Sequence, residues 1–469
     1  MNRKHVLFFS ILAAAFFCRV YFAVNFPVTL DEAWSNMVGL MPMEGLVKEV
    51  KADIHPPLTY IAHKFFTASQ TELGIRWIFA LFSFLSIFYL TRFINANVTT
   101  LLLLGFSAYL ISEGAIARMH AFSLFFSSAA CYYFARTFER EKAADFALLA
   151  LFSVLALYNF YPCGALVAAF FAVYLLFRKE SVSRPRFYAY TFSSIILFSL
   201  PLVYFFNPSV TGGFASEKLI NIPSGAILAY LPYAFAYSEY LLKFNEIRGI
   251  KIVYFLFLCA LVVPVLVRGA RNKDGDLRAR LAVWLALISL GIVFAVSLKI
   301  PKVLLSSKYV AWEYPLFAYI FIKGLESFPV KIRGFLLSAL LAVNFASLYS
   351  ALKYNPENWR EVAAFVGRNE KEKDLILFDA GHMRYPFKFY YTGKGKMEGL
   401  PKGAPEFKPQ EYMRYNRIWL VLAHNWGRSE VYRELISKSS ALAGDYAFGE
   451  IKVLLFEQNG YKNSQAARH

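Results

Sequence analysis

Cysteine is scarce in this chain, four residues in 469, and charged residues make up only 17%. Cys18, Cys131, Cys163 and Cys259 all fall inside apolar runs, form no CxxC and have no His at ligand spacing. Neither a disulfide scaffold nor a zinc site is indicated, and the metal-ligand expectation is none. A Gly-rich phosphate-cradling loop is missing, which disfavours a nucleotide ligand. Internal repeats and low-complexity tracts are missing too, which weakens a repeat-built transporter. What the chain has in excess is apolar surface: 58% hydrophobic and 18% aromatic residues, with a mean hydropathy of +0.43. So much cannot be hidden in a soluble core, so the chain reads as a multi-span membrane protein and not as a disordered or collagenous one. The formal net charge of +18 would suggest nucleic acid in a soluble protein. Here the excess of Lys and Arg expected in cytoplasmic loops accounts for it, and no nucleic-acid partner is expected.

Arg3 and Lys4 precede an apolar run from Val6 to Val24 broken only by Arg19. The run is long enough to span a bilayer and lacks a persuasive small-x-small cleavage site, which predicts a retained helix. Further apolar windows near 75–94, 96–112, 115–136, 143–159, 161–178, 187–206, 250–268, 281–299, 309–326 and 334–351 bring the expected number of transmembrane helices to about eleven. With a cytoplasmic N-terminus, the inner loops hold Arg136, Arg140 and Lys142, then Arg178, Lys179, Arg184 and Arg186, then the basic group from Arg268 to Arg280, then Lys323, Lys331 and Arg333. The short outer turns after 112 and 159 hold no Lys or Arg, and this asymmetry sets the orientation. An odd number of spans leaves the C-terminus outside, with two long outer loops, 26–74 and 207–249. In the first, Ala33 to Val50 and Leu58 to Phe66 are amphipathic and too short to cross, so they are expected as interfacial helices. The second carries Gly, Pro and Tyr and is a candidate cover.

From about Leu352 the composition turns polar, with a helical pattern over Asn355 to Arg368 and another over Ser429 to Ser437. Asp374 to Phe378, Arg417 to Leu422 and Ile451 to Phe456 read as short strands. The expectation is a polytopic all-α membrane domain over 1–351 and a small α/β extracytoplasmic domain over 352–469.

Several polar segments fall at the outer ends of the spans. Asp31 and Glu32, in Thr29-Leu-Asp-Glu-Ala-Trp, follow the first span. Thr29 and Glu32 have capping-box spacing, while a carboxylate close to headgroups can also accept a proton from a hydroxyl. In Asp53-Ile-His-Pro-Pro-Leu-Thr-Tyr the prolines explain a fixed bend before a helix, but they do not explain His55, whose ring suits phosphate or substrate hydroxyls. Glu113-Gly-Ala-Ile-Ala-Arg-Met-His-Ala opens the fourth span. There Arg118 either snorkels to water or pairs with an anion, for which a guanidinium has the geometry. Lys299, Lys302 and Lys308, the last beside Tyr309, lie on the side that normally lacks cations and are solvated or bind an anionic headgroup.

Taken in order, the acidic pair, His-Pro-Pro-Leu, Ile-Arg-Trp at 75–77 and Ala-Arg-Met-His-Ala at 117–121 resemble the GT-C membrane glycosyltransferases. The nearest likeness is to their dolichyl-phosphate-mannose protein mannosyltransferase and aminoarabinose transferase branch. It covers residues 1–180 well, the Ser-Lys-Tyr segment at 307–309 loosely, and the C-terminal domain only through Asn-Trp-Arg-Glu at 358–361. The resemblance implies transfer of a sugar from a polyprenyl-phosphate carrier to a glycan, lipid or protein acceptor on the outer face of the plasma membrane. By the same resemblance Asp31 looks like the catalytic base and Glu32 a catalytic neighbour that positions acceptor or donor. His55 would belong to the donor site and Arg118 would bind the phosphate. Lys302, Lys308 and Tyr309 would add contacts, Lys308 standing where relatives often carry Arg, and His120 where they often carry Tyr. Tyr158, Asn159 and Tyr161 would line the groove mouth or simply belong to an interfacial aromatic belt. No cofactor is called for. A divalent metal stays open through the pyrophosphate-carrier oligosaccharide transferases, which commonly present metal-binding acidic motifs. A transporter or flippase of lipid-linked sugars and a non-catalytic scaffold are the readings outside the enzyme class.

Overall fold

The computed structural model describes residues 3–95, 97–206, 248–271, 276–297, 311–353, 357–400, 409–412, 414–423, 429–437 and 440–458. Most of the second outer loop, together with Lys302, Lys308 and Tyr309, lies outside the described residues. The chain forms two compact units: Met1–Val24 with Val38–Ala351, and Asn25–Met37 with Leu352–His469. The second unit therefore takes a piece of the first outer loop that a division by composition leaves with the membrane domain.

The first unit is helical. Its elements are α1 (Arg3–Asn25), the end of α2 (Leu30–Leu40), α3 (Met43–Lys51), α4 (Leu58–Phe66), α5 (Glu72–Ile94), α6 (Val98–Gly105), α7 (Ala108–Ala115) and α8 (Met119–Glu139). α9 (Ala143–Asn159), α10 (Cys163–Phe177), α11 (Pro185–Ser199), α12 (Arg248–Arg271), α13 (Leu277–Ser297), α14 (Tyr314–Glu326) and α15 (Val330–Lys353) follow. Every apolar window read from the sequence contains helix, but the window at 115–136 is interrupted by a non-helical link at 116–118. Among the described residues, five helices are long and apolar enough to cross a membrane alone, or six if the bent pair α6 and α7 counts as one span. The chain is a multi-pass membrane protein. The window at 96–112 is not a straight helix but breaks by 45° between α6 and α7. The stretch read as Ala33 to Val50 is two helices, split where Pro42 takes an extended conformation (ψ 154°) ahead of α3.

Arg19, the one interruption of the first apolar run, is fully buried in α1 and serves that break. Its guanidinium donates to the carbonyls of Ala15 and Gly105, both at 2.9 Å, and to Ser83 Oγ at 3.1 Å. Gly105 ends α6, and a helix end leaves carbonyls that need donors where water is excluded. Replacing Arg19 with Leu keeps the bulk and strands these acceptors, so a loss of about 3 kcal/mol is expected. Thermal melting of detergent-purified protein checks it: an unchanged Tm would show that the break does not depend on Arg19. Elsewhere α12 and α14 meet backbone to backbone, because a Cβ at Gly269 would lie 1.8 Å from the Ile320 carbonyl oxygen. Only glycine permits that approach.

Several basic residues of the inner turns form ion pairs at one end of the bundle. Asp145, buried, takes Arg136 at 2.8 Å and Arg140 at 3.0 Å, and Arg278 reaches Glu139 at 2.5 Å. The opposite end, where α8 and α10 begin and α9 finishes, carries the residues considered below.

The second unit is built on a five-stranded sheet of order β2-β1-β3-β5-β4. Its strands are β1 (Asp374–Asp379), β2 (Lys396–Gly399), β3 (Arg417–Leu422), β4 (Ser440–Phe448) and β5 (Ile451–Gln458). β2, β1 and β3 run parallel, and β5 is antiparallel to β3 and β4. β1 and β3 are buried along nearly their whole length, as strands covered on both faces must be. One face packs under α16 (Trp359–Asn369) and α17 (Arg384–Tyr390), and the other under α18 (Ser429–Ser437). Arg417 and Asp374 form a buried two-pronged pair at 3.0 and 2.6 Å, joined by Trp419 Nε1 at 2.8 Å.

Candidate active site

Within the first unit, the bend Asp53-Ile-His-Pro-Pro delivers the chain into α4. Asp53 Oδ1 accepts the Ile54 N–H at 2.7 Å, and Pro57, at φ −74° and ψ −21°, leads directly into the helix. α4 is then fastened on two sides. Thr59 Oγ1 donates to Asn159 Oδ1 at 3.0 Å, and His63 Nε2 lies 3.0 Å from the Ala117 carbonyl oxygen. The second contact reaches the non-helical link between α7 and α8 that carries Arg118. Gly39 allows α2 to approach there, since a Cβ on it would fall 2.4 Å from that of His63.

Between the two fastenings Tyr60 is almost fully buried, and its hydroxyl donates to Asp53 Oδ2. The same hydroxyl is hydrogen-bonded with the guanidinium of Arg118, which is 6% exposed. Burial pushes the Tyr60 phenol well above its ordinary range. Arg118 pulls it down and Asp53 adds to the rise. Tyr161, in the turn between α9 and α10, is pushed up to about 12 by burial and then by Asp53. Both phenols stay protonated at physiological pH, Tyr60 with its proton given to Asp53. The Tyr161 hydroxyl is buried without a hydrogen-bond partner among the described residues, which leaves a donor unspent. His55 is 8% exposed, its ring 6.3 Å from that of Phe160 in the same turn. His120, in the first turn of α8, lies 4.0 Å from Glu113.

His55, Arg118, His120, Asn159 and Tyr161, singled out in the sequence, thus sit on the α3–α4, α7–α8 and α9–α10 links at one end of this unit. Asn159 is committed to the protein: besides accepting from Thr59, its amide donates to the Met119 carbonyl and to Ser123 Oγ, both at 2.8 Å. It ties three helices together. Sequence reasoning gave no role to Tyr60 or Asp53, although both lie in the quoted motif. Their seven-residue spacing across a Pro-Pro bend carries no local signal for a contact.

Asp31 and Glu32 belong to the second unit. Glu32 Oε2 accepts from the backbone N–H of Thr29 at 3.0 Å and its hydroxyl at 3.1 Å, while Thr29 Oγ1 accepts the Glu32 N–H at 3.4 Å. This is the reciprocal capping box read from the spacing, and Glu32 is fully buried in it. Asp31 is next to it, partly exposed.

No protein-family model and no curated protein matches the chain. Solved structures do match. The crystal structure of ArnT from Cupriavidus metallidurans in the apo state superimposes with a TM-score of 0.59 at 12% identity, covering 96% of this chain and 97% of that one. The fold is that of ArnT. A second crystal structure of the same ArnT, bound to undecaprenyl phosphate, superimposes with a TM-score of 0.57 at 12% identity over the same shares of both chains. The expected architecture, helices followed by a small C-terminal sheet domain, holds over nearly the full length of both proteins.

Proposed function

We propose that this protein is an inverting glycosyltransferase of the plasma membrane, with its N-terminus cytoplasmic and its C-terminal domain outside, that moves a sugar from a polyprenyl-phosphate carrier to an acceptor hydroxyl on the outer face. The observation that carries the reading is the donor set on an ArnT-like fold: Arg118, the unspent Tyr161 hydroxyl and His55 at the end of the bundle opposite the paired basic residues. It fits the undecaprenyl phosphate bound by the similar ArnT. A phosphate carries departing charge without a general acid. The reaction needs a cation for that charge and a base for the incoming hydroxyl. The acceptor oxygen attacks the anomeric carbon, and the bond from that carbon to the phosphate oxygen breaks with its electron pair leaving on the carrier. Asp31 takes the hydroxyl proton. A single displacement inverts the anomeric centre. Glu32, spent on the cap, holds the turn that presents Asp31.

Purified protein incubated with a panel of radiolabelled polyprenyl-phosphate sugars is expected to release label from one of them to an acceptor with inverted configuration. Ion-coupled movement of an intact lipid-linked sugar without transfer would replace this reading by that of a transporter. Abolition of transfer by EDTA would instead favour a metal-assisted, pyrophosphate-type reaction.

A further inference from the structure

The Asn-Trp-Arg-Glu segment at 358–361 has no place in the reaction just described, yet its side chains lead back to the helix that bears Asp31. Asn358 caps α16 by accepting the Glu361 N–H at 3.3 Å, and Trp359 is fully buried in the domain core. Between these two anchors, the Arg360 guanidinium stands over the ring of Tyr390, 5.8 Å from its centroid. The Tyr390 hydroxyl in turn accepts the backbone N–H of Val28 at 2.7 Å, three residues ahead of Asp31. Trp34, three residues beyond Asp31, meets the ring of Tyr385 edge to face at 5.1 Å. Leu30, one turn before Trp34 on the same side of α2, packs against the hydrophobic core of the C-terminal domain. Asp31 is thus bracketed before and after by contacts to α17, and its helix start is set by the Thr29–Glu32 box.

We infer that the C-terminal domain places the base for the reaction, with Tyr390 as a positioning residue backed by Arg360 and with Tyr385 steadying the far side through Trp34. This rests on the reading of Asp31 as the base. A hydrogen bond to a backbone N–H fixes where the chain turns into α2, and the ring contact fixes the rotation of the helix. Together they define the direction of the Asp31 carboxylate without touching the substrate. Small displacements of a reacting group are costly: an error on the order of 1 Å loses about 100-fold in rate. The domain thereby contributes to the rate through geometry, while donor binding is left to the membrane unit.

The test compares Tyr390→Phe and Tyr385→Ala with Tyr391→Phe in the full-length protein. Tyr391 lies next to Tyr390, but its hydroxyl is bonded to Glu370 within the domain, so its loss makes the same chemical change away from α2. Tyr390→Phe is expected to lower kcat about tenfold, with an unchanged KM for the lipid donor, and Tyr385→Ala is expected to do the same. Tyr391→Phe is expected to keep the wild-type kcat. Wild-type kcat in both Tyr390→Phe and Tyr385→Ala overturns the inference. So does an equal loss in Tyr391→Phe, or a donor KM that rises in step, because either would report general loosening. Asp31→Asn is measured alongside. If it is inactive while Tyr390→Phe and Tyr385→Ala run at full rate, the positioning role alone falls; if it is fully active, the base reading falls first and takes this one with it.

Discussion

Asp31→Asn is expected to lower transfer by about 1,000-fold while leaving expression, melting and donor binding unchanged. The substitution keeps the shape of the side chain and removes its ability to take a proton. The cap that starts α2 is made by Thr29 and Glu32, and the helix is held through Val28, Leu30 and Trp34. The loss should therefore appear in kcat and leave the KM for donor in place, the pattern of a group needed only in the transition state. A fully active Asp31→Asn enzyme would remove Asp31 from the chemistry. Glu32→Gln makes a useful contrast. It retains an oxygen that can accept from Thr29, so it should keep most of the activity, and a loss equal to that of Asp31→Asn would assign the proton to Glu32 instead.

Arg118→Ala is expected to lower kcat/KM for the lipid donor by about 100-fold, with the donor KM raised. The guanidinium is nearly buried and shares a hydrogen-bonded cluster with Tyr60 and Asp53, so it is oriented before any ligand arrives. Arg118→Lys should recover only part of the loss, because an ammonium keeps the charge but not the planar fork that matches two phosphate oxygens. The measurement is a titration of initial rate against donor at saturating acceptor. An unchanged donor requirement in Arg118→Ala would show that the residue serves only the cluster with Tyr60 and Asp53.

The elements that could be read early are those with a local signature. Arg417–Leu422 and Ser429–Ser437 have the boundaries expected for them, and the strand expected over Asp374 to Phe378 runs one residue further. β4 was missed because it is an edge strand in which small and polar residues separate Leu442, Tyr446 and Phe448, so no apolar run marks it. β2 is four residues long and partly exposed, too short for an alternation to register. The short helix α17 has Pro386 within it, which reads as a turn in sequence. The candidate site divides in the same way. Arg118 and His55 stood out because a charge or an imidazole beside apolar spans is costly unless it is used. Tyr60, Thr59 and His63 did not, because a Tyr, Thr or His on a short amphipathic helix has no unusual cost to announce it.

By itself the sequence determined that this is a multi-pass membrane protein, roughly where its helices run, and that a polar α/β segment follows them. These are properties of contiguous residues, summed along the chain against a solvent that excludes unpaired backbone and charge. Only the tertiary structure decided that Asn25–Met37 goes with the C-terminal domain, that Asn159 is spent tying helices together, and that Arg118 shares its hydrogen bonds with Tyr60. Each of those outcomes depends on contacts between residues far apart in the chain, which hydropathy and spacing do not encode.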